Sequence, residues 1–115
     1  MSFTIRAENA AVTAITGAAT YVSLHVEDPG TTGLNEVDGG AYARKQVSWS
    51  AAANSQSSAV SAAVIDVPAG VTITHWGLWD VVSGGNFYYG GPLAAPEAFG
   101  TAGTYSLTPT LSASD

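Results

Sequence analysis

Several stretches of this chain alternate in polarity with a period of two, each closed by glycine, proline or a small polar run. That pattern constrains the fold more than any other feature, because side chains two apart share one face only on an extended strand. Residues 20–26, "TYVSLHV", set Val22, Leu24 and Val26 against Tyr21, Ser23 and His25. Residues 42–49 set Ala43, Lys45, Val47 and Trp49 against Tyr42, Arg44, Gln46 and Ser48. Residues 60–67 and 71–80 are separated by "PAG", with Pro68 and Gly70 supplying the turn. The closing "TYSLTPTLS" alternates again, and Pro109 predicts an edge or a bend there.

Two segments do not follow this rhythm. "ENAAVTAIT", residues 8–16, predicts one short helix with Ala10, Ala11, Ala14 and Ile15 on one side and Gly17 as its stop. "SAAANSQSS", residues 50–58, is small-polar and low in complexity, which predicts a mobile loop. The expected fold is therefore mainly β, a small antiparallel β-sandwich or barrel with one short N-terminal helix. A chain of 115 residues fits one such domain, with 1–19 as arm and helix and 20–111 as the β core. Leu24, Val47, Leu78, Trp79 and Leu107 are the expected core.

The densest stretch is residues 74–91, "THWGLWDVVSGGNFYYGG". It reads as strand, Gly84-Gly85 turn, strand. In so alanine-rich a chain, Trp76, Trp79 and Phe87 are expected to supply much of the core's mass, since large rings bury about 150–250 Å² each. The competing reading is an exposed line of Trp76, Tyr88 and Tyr89 that stacks on carbohydrate.

Charge excludes other functions. The chain carries three cations against nine carboxylates, a net charge of −6. Nucleic-acid binding, which needs a basic stripe to release counterions, is not expected. No cysteine is present, so thiolate metal sites and disulfides are ruled out. No run reaches the roughly 18 apolar residues of a spanning helix, and no basic segment followed by an apolar run marks a leader. No membrane partner is expected, and the chain is expected to be made in the cytoplasm without a signal peptide.

The titratable groups give weak signals for chemistry. Glu27, Asp28, Glu36 and Asp38 crowd the loop at residues 27–41, and Asp28, Glu36 and Asp38 form the best calcium candidate, although the spacing is not that of an EF-hand. His25 and His75 lack a partner in metal-ligand spacing, and both are read as surface or hydrogen-bonded structural histidines. No serine sits in a nucleophile-elbow pattern, and the glycine runs lack a phosphate-loop lysine. No catalytic group and no cofactor is expected.

Four pieces read together resemble a known family: "TYVSLHVEDPGTTGLNEVDGGAYARKQVSW", "THWGLWDVVSGGNFYYGGPL", the short "AP" beyond it, and the strand after "TAGTYSL". They are similar to small virion proteins of tailed bacteriophages, especially actinobacterial ones, commonly labelled tail fibre or minor tail proteins. The resemblance covers most of residues 20–111, and it implies a non-enzymatic structural role on the virion. With no heptads, β-helix repeat or Gly-X-Y shaft, the chain is expected to be a head decoration protein, with a tail fibre, minor tail or glycan-binding tail-tip module as the alternative. Its expected partners are the major capsid protein, or tail proteins, and itself as a homotrimer. The interface candidates are Phe3 and Ile5 of an N-terminal strand-like arm, Asp28 and Glu36 of the acidic loop, and Tyr42, Arg44 and Lys45 just beyond it. For Arg44 and Lys45, charge pairing across the base of the loop is the competing reading.

Overall fold

The computed structural model describes residues 3–113. Its elements follow the chain as α1 (Ile5–Ala18), β1 (Tyr21–His25), β2 (Lys45–Gln46), β3 (Gln56–Ser58), β4 (Ala63–Val67), β5 (Val71–Trp79), β6 (Phe87–Phe99), β7 (Gly103–Leu107) and β8 (Thr110–Ser112). A four-stranded sheet runs in the order β2-β1-β5-β6, and β3-β8 and β4-β7 form two-stranded sheets. Every pairing is antiparallel. The fold is mainly β with one short N-terminal helix.

The helix is longer than residues 8–16. Thr4 caps it, its Oγ1 accepting from the Ala7 N–H at 3.1 Å, so the helix begins at Ile5. Gly17 lies inside the helix rather than ending it. The expected extended arm is corrected accordingly: Ile5 and Arg6 are helical, while Met1 and Ser2 lie outside the described residues. Phe3 and Ile5 are nonetheless largely exposed. The buried helical side chains are Glu8 and Val12, and Val12 joins the core.

β1 is covered on both faces. Val22 and Leu24 are fully buried, and so are Ser23 and His25, whereas Val26 lies past the strand and is exposed. β2 and β5 fill its edges, and the following loop, Trp79 and Phe87 cover the face that carries Ser23 and His25.

The expected strand at 42–49 shrinks to Lys45–Gln46. Side-chain anchors hold the rest: Tyr42 and Arg44 bond to Glu36, and Trp49 Nε1 donates to the Ala19 carbonyl at 3.1 Å. Val47 remains in the core. The expected mobile loop at 50–58 is pinned and ends in a strand. Asn54 and Ser55 take positive φ and fold it back on itself. Ser55 then bonds to the helix through its N–H to Asn9 Oδ1 and its hydroxyl to Glu8 Oε1.

The C-terminal run divides at Pro109 into β7 and β8. Leu107 is only half-buried, and Leu111 of β8 enters the core instead. β6 runs far past "NFYYG", through Pro92 and Pro96. Both prolines are tolerated because β6 is an edge of the large sheet, and its ladder with β5 is irregular between Ile73 and His75. Leu24, Ile65, Ile73, Leu78 and Leu111 are the largest apolar side chains fully buried in the core.

Candidate functional site at the anchored acidic loop

The conspicuous polar chemistry gathers where the loop at residues 26–44 crosses the β1–β5 pair. Ser23 faces Gly77 across the ladder and His25 faces His75. A Cβ at Gly77 would stand 2.7 Å from Phe87, 2.8 Å from Ser23 Oγ and 2.9 Å from His25 Nε2. The missing side chain is what lets the three groups meet.

A chain of bonds runs through them. Trp79 Nε1 donates to Ser23 Oγ at 2.9 Å, Ser23 Oγ and His25 Nε2 are 2.7 Å apart, and His25 Nδ1 meets the Leu34 carbonyl at 2.7 Å. A carbonyl only accepts, so Nδ1 carries the proton, and Nε2 accepts from the serine hydroxyl. The neutral ring is thereby satisfied on both sides. Burial pushes the His25 pKa down, against the opposing pull of the Leu34 bond and the Glu36 charge, with Arg44 and His75 adding to the depression.

Above about pH 6.5, imidazole is neutral in both the folded and the unfolded chain. As pH falls through that value, the unfolded chain binds a proton that the folded ring refuses, so stability declines until the lower folded pKa is reached. Thermal unfolding should show a slope of up to about 1.4 kcal/mol per pH unit just below pH 6.5. The same scan on His25→Gln should lack that slope; if the slope persists, it belongs to another group.

Arg44 is the second anchor. Its Nε and Nη2 each lie 2.9 Å from one Glu36 carboxylate oxygen, a two-pronged pair with side-chain exposures of 6% and 22%. Nη1 donates to the carbonyls of Val81 and Gly84 at the β5–β6 turn, at 3.1 and 2.8 Å. The guanidinium stacks 3.6 Å over the Trp79 ring. Tyr42 Oη donates to Glu36 at 2.6 Å and accepts from the Leu24 N–H at 3.1 Å. Burial raises the Glu36 pKa, but the bonds from Arg44 and Tyr42 and the Arg44 charge outweigh it, and the carboxyl sits below its usual value. Burial and the facing carboxylate push the Tyr42 phenol far above its usual range.

The calcium set does not assemble. Glu36 is taken by Arg44 and Tyr42, Asp28 Oδ1 accepts from the Gly30 N–H at 2.9 Å as a turn cap, and Asp38 is exposed. Among the described residues, no three histidine or acidic side chains are placed to share a metal ion. Lys45 stays half-exposed on β2, outside the Arg44–Glu36 pair.

The aromatic hairpin is core rather than platform. Trp76 and Trp79 are each 7% exposed. Tyr89 covers Trp76 at 5.3 Å between ring centroids, and Phe87 packs edge-on against Trp79 at 5.1 Å. Tyr88 alone of the proposed stacking line is largely exposed. Gly33 lies so close to Trp79 that a Cβ there would collide with the ring.

Sequence reasoning missed the reach of Arg44 to residues 81 and 84 and the Ser23–His25–Trp79 chain. The available signal was a polar pair two apart on one strand, with a glycine later in the chain between two tryptophans.

Ser23, His25, Arg44 and Glu36 are thus all engaged in bonds that hold the loop against the β1–β5 pair. The family model described as "Podophage GP4 fiber I protein gp80" matches residues 5–110, and the chain belongs to that family. No curated protein matches it. The chain is a bacteriophage structural protein and a component of the virion.

Proposed function

We propose that the chain is a non-enzymatic building block of a phage tail fibre. The observation that carries this reading is the match to a fibre-protein family over nearly the whole chain. It favours the tail-fibre alternative over head decoration. The geometry is in keeping with a structural role. Among the described residues, no buried side-chain nitrogen or oxygen lacks a hydrogen-bond partner. The described body measures 45 × 25 × 25 Å, which suits a knob or joint within a fibre rather than a shaft. Its partners in this reading are other fibre or tail chains and further copies of itself, met through the exposed face of α1 and the fixed acidic loop.

Immunogold labelling of intact virions with antibodies against this chain tests the proposal. Gold on the tail fibres is the expected result. Gold confined to the head would overturn the fibre reading and restore decoration.

A further inference from the structure

Asp38 takes no part in either anchor of the loop and stands exposed between two fixed points. Val37 before it is in the core, its N–H bonded to the Leu24 carbonyl at 2.9 Å, and Tyr42 beyond it is bonded to Glu36. Among the described residues, neither the Asp38 carboxylate nor the Gly39 N–H has a hydrogen-bond partner. Gly39 is exposed at a φ of 104°, and a Cβ there would meet nothing within 4 Å. The carboxyl and the amide that follows it are both open to water and free to turn toward one another.

Asp38 is also the only aspartate or asparagine in the chain that glycine follows. The others are held or shielded. Asp28 precedes Pro29, which has no N–H to react, and its Oδ1 holds the Gly30 amide. Asp66 lies within β4, where the ladder with β7 fixes the backbone, and the Asp80 carboxylate is taken by Asn86. The Asn35 side chain is bonded to the Asp28 carbonyl, and the amide after Asn54 donates to Asn9, itself within α1.

We propose that Asp38–Gly39 is a site of spontaneous backbone isomerisation, at which Asp38 becomes isoaspartate. The Gly39 nitrogen attacks Cγ of the protonated Asp38 carboxyl. A nitrogen–Cγ bond forms, and the amide proton and the carboxyl hydroxyl leave as one water, closing a five-membered succinimide. Water then adds to the main-chain carbonyl carbon of residue 38 and breaks its bond to the nitrogen, which takes back a proton. The chain now runs through Cγ, with a free carboxyl on Cα and no change in oxidation state. Glycine suits the attack because no side chain shields its nitrogen. The product lengthens the main chain by one carbon, about 1.5 Å. The added length falls in the strap from Val37 to Tyr42, inside the turn that the Tyr42 N–H closes on the Gly39 carbonyl at 3.2 Å. The inference concerns the chain's own chemistry and does not rest on where in the virion it sits.

The test keeps the folded full-length chain in neutral buffer below its unfolding temperature for several weeks. It is then digested with proteases that cut after glutamate and arginine. Cleavage at Glu36 and Arg44 leaves Asp38 on a peptide with no other aspartate. On liquid chromatography that peptide should split into two species of equal mass, and electron-transfer fragmentation should place isoaspartate at residue 38 in the new one. Its yield should exceed the yields at Asp28, Asp66 and Asp80 combined. Asp38→Glu keeps the charge on an exposed side chain but would have to close a slower six-membered ring, so its peptide should stay single. The inference is overturned if the Asp38 peptide stays single, or if the Asp38→Glu peptide splits equally. It is equally overturned if another of these aspartates isomerises faster, or if conversion at Asp38 needs urea to unfold the chain.

Discussion

Replacing Arg44 with Ala should lower the unfolding free energy by about 3–5 kcal/mol, the loss expected when one partner of a buried ion pair is removed. The Glu36 carboxylate would keep its partly buried position without its cation. The Val81 and Gly84 carbonyls would lose their donor, and the face of Trp79 its covering charge. Arg44→Lys should recover only a minor part of the loss. A single ammonium cannot reach two carboxylate oxygens and two carbonyls while lying flat on a ring. Urea unfolding of the three proteins checks this, and near-complete rescue by lysine would show that charge alone matters at this position.

Trp79→Ala should cost a similar amount, about 3–5 kcal/mol for a large buried aromatic. The ring supports Arg44 on one side, meets Phe87 edge-on and lies beneath the Gly33 backbone, so truncation opens a cavity under the loop. Trp79→Phe separates packing from the hydrogen bond. It keeps most of the ring but withdraws the Nε1–H from Ser23, and should cost on the order of 1–3 kcal/mol. Equal losses in the two variants would mean that the bond to Ser23 outweighs the packing.

The sheet was legible where side-chain alternation and turn chemistry agreed. β1, β5 and the "PAG" turn all announce themselves, and the tryptophans read correctly as core because nothing else in the chain is large enough. The start of β6 was read as the second strand of the hairpin, but its continuation to Phe99 was hidden because two prolines and two glycines argue against a strand, and only its edge position makes them tolerable. Residues 50–58 look mobile by composition, but their order comes from Glu8 and Asn9, more than forty residues earlier in the chain. Such contacts leave no local periodicity. Of the anchored site, the pairing of Arg44 with the loop carboxylates was among the sequence-level alternatives. The selection of Glu36 and the reach to the β5–β6 turn depend on the register of β1 against β5.

The long loop at residues 26–44 is held against the sheet by two polar chains, one through Ser23 and His25 and one through Arg44 and Glu36. Loops longer than about twelve residues without secondary structure of their own are often mobile. Within residues 26–37, four amides have backbone acceptors: Val26 to Asn35, Gly33 and Leu34 to Pro29, and Val37 to Leu24, all within 2.9–3.0 Å. Amide hydrogen exchange reads these directly. The four should exchange slowly, within about tenfold of the β1 amides, and Arg44→Ala should release them ahead of the sheet. Exchange at the rate of an unstructured chain at these four positions, with β1 and β5 still protected, would contradict the account.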